Sequence, residues 1–254
     1  MSVSAIDMQM EQLIKLLKTK YSQAFAQFKT PLWRGWSSYR SEVGTSTTIA
    51  VEITPGTRKS ENTSNYYTEI LDHSPYMKGW PKRSESFICS TGRDYAKDFG
   101  KLFAMFPANG TKIGVCPGFD IWTTKIRLPD LDVEFIKEDQ CLSDFNRWMD
   151  HSLYFHDDSI EGMIRHAATP GFQKRIHDYN MNYDAKDFIP MLFKAFSPAR
   201  TEFKLMNISQ VAALASSEGI RAAHEVWFSS KCLAMSEKTW LTLYNKLYGS
   251  TEHL

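Results

Sequence analysis

Three short stretches carry the side chains best suited to chemistry. Pro31-Leu-Trp-Arg-Gly-Trp36 sets Arg34 inside an apolar run, where a guanidinium is costly to bury unless an anion pairs with it. Trp33 and Trp36 would keep that place partly dry, and Gly35 would let another group approach the backbone closely. Arg34 is either such an anion partner or an edge-strand residue reaching water. In the second stretch a strand ends at Ser90-Thr91-Gly92 and a helix follows directly. Its hydroxyls could cap that helix or hold a nearby carboxylate in position. In the third, Glu225 opens the apolar run Val226-Trp-Phe228. Strand alternation would put Glu225 and Trp227 on one side, with the carboxylate either in solvent or held in a cleft. Asp120, in Gly118-Phe-Asp-Ile-Trp122, is a competing acid beside an aromatic pair.

Familiar motifs are missing. The chain has no G-x-G-x-x-G, no phosphate loop ending in Gly-Lys-Ser/Thr, no H-E-x-x-H, no nucleophile elbow and no kinase set. His151, His156, His166 and His177 lack a clean ligand spacing. His156-Asp157-Asp158 is the best cluster among them, and it reads as solvated helix ends rather than as a metal site.

The elements that must position these residues follow from periodicity. Apolar residues recurring at three- and four-residue steps predict a helix from Asp7 to Phe28, capped by Asp7 and stopped by Pro31. Short strands are expected over Leu32–Trp36, Thr48–Ile53 and Ser86–Ser90, with a loop from Thr54 to Asn65. A short helix over Tyr95–Leu102 leads to strands at Leu102–Phe106 and Lys112–Cys116, joined by the turn Pro107-Ala-Asn-Gly110. Residues 142–196 read as mainly helical. Strands return at Glu202–Met206, Glu225–Phe228 and Cys232–Met235, before a final helix over Ser236–Leu247. This order is α+β rather than alternating β-α-β, which argues against a doubly wound nucleotide fold. One domain, residues 1–254, with a helical insertion at about 142–196, is expected.

Composition narrows the class. Hydrophobic residues at 43% and charged residues at 23% are ordinary for a globular chain and exclude a disordered or fibrous one. Thirty Lys and Arg against 29 Asp and Glu give a net charge of +1, which removes the usual drive towards non-specific nucleic-acid binding. Four scattered cysteines suggest free thiols in a reducing compartment. No apolar run of membrane-spanning length and no leader pattern is present, so a cytoplasmic location is expected.

Taken together and in this order, the three patches resemble the signature of the Arg–Ser–Glu class of ADP-ribosyltransferases. Arg34 in Leu-Trp-Arg-Gly matches the early arginine, Ser90 and Thr91 match the Ser-Thr-Ser strand, and Glu225 in Glu-Val-Trp-Phe matches the catalytic glutamate. Tyr95–Gly100 and Phe106-Pro-Ala-Asn-Gly-Thr111 resemble the helix and strand that follow the second motif. Trp80–Phe87 and Lys112–Trp122 also resemble segments of bacteriophage-encoded relatives. Two positions depart from the pattern: Gly92 replaces the last serine, and Ala223 stands where many members carry a Glu or Gln that helps choose the acceptor.

The resemblance implies a pair of packed, mostly antiparallel sheets. It implies an enzyme that breaks the nicotinamide–ribose bond of NAD and transfers ADP-ribose to a macromolecular acceptor, a protein more readily than a nucleic acid, without a metal. The implied catalytic set is Glu225, Ser90 and Arg34. Arg34, Ser90 and Thr91 would bind NAD, with Tyr66, Tyr67 or Tyr95 stacking on nicotinamide and Asp120 as the alternative acid. An NAD glycohydrolase, or a non-catalytic binding or virion-associated protein, is compatible with the same scaffold.

Overall fold

The computed structural model describes residues 5–36, 50–59, 64–124, 145, 147–178, 185–217 and 223–249. The chain divides into two compact units, residues 1–56, 86–115 and 205–254 forming the first, and 57–85 with 116–204 forming the second. The second unit takes in the expected helical insertion at about 142–196 and extends beyond it.

The first unit is built on an eight-stranded sheet in the order β2-β8-β4-β1-β3-β7-β5-β6. The strands are β1 (Leu32–Trp36), β2 (Ala50–Ile53), β3 (Phe87–Ser90), β4 (Lys101–Pro107), β5 (Ile113–Val115), β6 (Lys204–Met206), β7 (Glu225–Phe228) and β8 (Cys232–Ser236). Every pairing from β2 across to β5 is antiparallel. One continuous sheet therefore stands where a pair was expected. It nevertheless has a seam: β1 lies along β4 over five register pairs, but among the described residues meets β3 through Trp33 and Ser90 alone.

The helix expected over residues 7–28 is two, α1 (Ala5–Thr19) and α2 (Ser22–Ala26). Asn109 explains the break. Its Nδ2 donates to the Thr19 carbonyl at 2.9 Å and its backbone N–H donates to the Lys20 carbonyl at 3.0 Å, ending α1. Its Oδ1 accepts from Gln23 N at 3.0 Å at the start of α2. The apolar stripe continues across the corner through buried Met10, Leu13, Leu17, Tyr21, Ala24 and Phe28. Phe28 stacks on Phe106 of β4 at 5.2 Å, and its full burial is worth roughly 1.5–3 kcal/mol.

The second unit is helical. It holds α3 (Tyr66–His73), a π-helical turn at Trp148–Ser152, α5 (Ile160–Ala167), α6 (Pro170–Asp178), α7 (Ala185–Ala195) and α8 (Pro198–Thr201). Its core is aromatic: Phe155 packs against Phe172 and Phe188 with ring centroids 5.5 and 6.0 Å away. The first unit adds α4 (Arg93–Lys97), α9 (Ile208–Ser217) and α10 (Glu237–Tyr248). Among the described residues no helix is long and apolar enough to cross a membrane.

Candidate active site

The sheet places Ser90, the last residue of β3, directly opposite Glu225, the first of β7. Both are buried, at 7% and 9% exposure. Directly opposite residues of an antiparallel pair share a face, so Trp33, Ser90 and Glu225 form one row across β1, β3 and β7. Ser90 Oγ accepts from Gly92 N at 3.0 Å; a hydroxyl so engaged keeps its own proton to donate. Thr91 continues the ladder past the strand end. Its N–H donates to the His224 carbonyl at 3.0 Å, and its Oγ1 accepts from His224 N at 2.8 Å.

Arg34 falls one residue off this row. With Trp33 opposite Ser90, Arg34 leaves the sheet on the other face, the side shared by Cys89 and Val226. The guanidinium turns back to the seam, where Nη1 donates to the Ile88 carbonyl at 2.7 Å. It lies 5.1 Å from the Trp36 ring and 5.9 Å from that of Phe87. Cys89 senses both charged groups. Burial pushes its thiol up to about 12, the Arg34 charge opposes that rise, and the Glu225 charge adds to it.

The two departures from the transferase pattern prove to be one packing arrangement. A Cβ added at Gly92 would lie 2.5 Å from the Ala223 Cβ and 3.1 Å from Tyr95 Cδ2. A side chain at 92 and the methyl at 223 exclude each other, so Gly92 and Ala223 are small together. Neighbouring small residues in the Ser-Thr and Glu motifs were the readable signal. Tyr95, half-buried on α4 beside Gly92, is the stacking candidate in the same unit.

Tyr66 and Tyr67, the other two stacking candidates, are core residues of the second unit. They are 1% and 2% exposed. The Tyr66 hydroxyl lies 2.8 Å from Asp150 Oδ1 and 2.9 Å from the Phe155 carbonyl, and burial, with Asp150 adding, holds its pKa above the ordinary value. The Tyr67 ring packs edge-on to Trp122 at 4.8 Å and carries the Arg83 guanidinium at 5.5 Å. Asp120 is likewise occupied, its Oδ1 accepting from Trp122 N at 2.9 Å to cap a 3₁₀ turn. At the histidine cluster, Asp157 accepts from Ser159 N at 3.0 Å and pairs with Arg165 at 2.9 Å. Asp158 accepts from Asn65 N at 2.6 Å. The loop expected from Thr54 to Asn65 lies partly outside the described residues, at 60–63.

Compared with models of protein families, with curated proteins and with solved structures, the chain matches none.

Proposed function

We propose that this chain is a mono-ADP-ribosyltransferase that cleaves the nicotinamide–ribose bond of NAD and passes ADP-ribose to a macromolecule. The observation that supports this reading is the pairing of Ser90 with Glu225 on adjacent strand ends, in a buried row with Trp33. As nicotinamide departs, positive charge develops on the ribose, and a carboxylate fixed beside it stabilises that charge. Glu225 takes this role with Ser90 directly opposite it, and the Thr91–His224 bonds hold both strand ends in register. Tyr95 stacks on nicotinamide, and the phosphate role that the resemblance gives Arg34, whose guanidinium offers paired donors, would need that side chain to reach round from the opposite face of the sheet.

The decisive experiment is turnover of nicotinamide-labelled NAD by the wild type and by Glu225→Gln, each checked for unchanged melting. The reading requires loss of nicotinamide release in the variant by about a hundredfold or more, in line with removal of one electrostatic stabiliser. Equal turnover would refute it. Label on the adenosine side separates transfer to protein from hydrolysis.

A second reading, a binding protein without catalysis, is favoured by one observation. Arg34 roots on the face opposite Glu225 and donates to a β3 carbonyl, which is a structural occupation. A protein that gains melting temperature with NAD yet releases no nicotinamide would fit this alternative.

A further inference from the structure

The second unit contains a strained segment that the NAD reading does not use. Tyr154 adopts φ of +55°, a region that bulky side chains rarely enter. It closes the π-helical turn at Trp148–Ser152, where Leu153 N donates to the Trp148 carbonyl at 3.0 Å and Phe155 N to that of Met149 at 3.2 Å. Glycine is the favoured residue at such a helix exit. Here the position is a tyrosine that remains 50% exposed between Leu153 and Phe155, which are 0% and 2% exposed.

The surroundings fix this geometry. Asp150, on the turn itself, lies 2.9 and 2.8 Å from Ser64 Oγ through its two oxygens and 2.8 Å from the Tyr66 hydroxyl. The Leu153 carbonyl accepts from His166 Nε2 at 2.9 Å and from Arg175 Nη1 at 3.0 Å. The Arg175 guanidinium then lies 4.6 Å over the Tyr154 ring. Backbone strain persists where neighbours over-determine it, and it gathers at ligand clamps; π-turns share that association with functional sites.

We infer that Tyr154, backed by Arg175, is a stacking platform for the base of a nucleotide. A cation behind the ring draws on its negative face, so the remaining surface suits a planar, uncharged π-system better than a second cation. Aromatic rings hold bases in this way without reading their sequence.

The test is saturation-transfer NMR with AMP on the full chain, with ribose 5-phosphate and N-acetyltryptophanamide as comparison probes. AMP should bind the wild type, and Tyr154→Gly, which relieves the backbone, should weaken it by about tenfold or more. Tyr154→Phe should retain binding. In an Arg34→Ala background the Tyr154-dependent part of AMP binding should persist, which separates this site from the proposed NAD site. The inference is overturned by any of these results: no AMP binding to the wild type, equal binding by Tyr154→Gly, equal binding of ribose 5-phosphate, or preference for the tryptophan probe.

Discussion

Replacing Gly35 with alanine tests how the row at Ser90 is held. A Cβ at Gly35 would stand 2.1 Å from the Ala96 carbonyl oxygen, 2.8 Å from the Phe99 carbonyl carbon and 2.9 Å from the Phe99 Cβ. Two of these atoms belong to backbone, so no rotamer change resolves the overlap and α4 must move. That helix begins one residue beyond Gly92, whose N–H bonds to Ser90 Oγ. Forcing a methyl into a filled site costs about 1–3 kcal/mol. At 254 residues each kcal/mol lowers the melting temperature by roughly 2–4 °C, so a drop of about 2–12 °C is expected by circular dichroism. Gly171→Ala is the matched control, because nothing lies within 4 Å of its added Cβ; it should leave the melting temperature unchanged or slightly raised. If Gly35→Ala melts with the wild type, α4 does not rest on β1 and does not hold the Ser90 end of β3. If it melts low but cleaves NAD normally, α4 supports the fold without setting Ser90.

Other consequences concern stability. Tyr21 lies 2.7 Å from Glu52, whose pKa is lowered chiefly by that bond; its stabilisation is present above the ordinary 4.5 and lost as pH falls through the lower folded value. Tyr21 is raised above 10.0, first by burial and then by Glu52, so its contribution is complete below 10.0 and lost as pH rises through the higher folded value. Urea midpoints across pH should accordingly show both limbs shallower in Tyr21→Phe, and an unaltered profile would contradict this. Asn109→Ala removes the side-chain bonds to Thr19, Ser22 and Gln23 and, these bonds being solvent-exposed, should cost about 0.5–1.5 kcal/mol in denaturant titration. Cys89 and Cys232 are 4% and 0% exposed, and burial raises both thiols. Labelling by a thiol reagent should track unfolding, and fast reaction of either in the native protein would refute that.

Much of the sheet was legible because its strands are short apolar runs bounded by turn residues. Leu32–Trp36 and Glu225–Phe228 fall as their sequence predicts. What periodicity could not supply was the partner of each strand. β8 enters between β2 and β4, and β7 between β3 and β5, an order decided by packing rather than local pattern. The same limit applies to the site. Ser90 and Glu225 could be named from residue type, but which face Arg34 takes depends on Trp33, not Arg34, standing opposite Ser90. The split between α1 and α2 is set by Asn109, some ninety positions distant, and no window along the helix contains it. α3 and α9 gave weak signals: the first follows a polar tract, and the second is rich in Ala and Ser.

The strand order also bears on how the chain is made. β3, β4 and β5 emerge from the ribosome long before β7 and β8, the strands that lie between or beside them in the finished sheet. Until residues 225–236 are synthesised, those earlier strands expose bare hydrogen-bonding edges. Pairings of such long sequence separation form slowly. Truncations ahead of residue 225 should therefore accumulate as insoluble material.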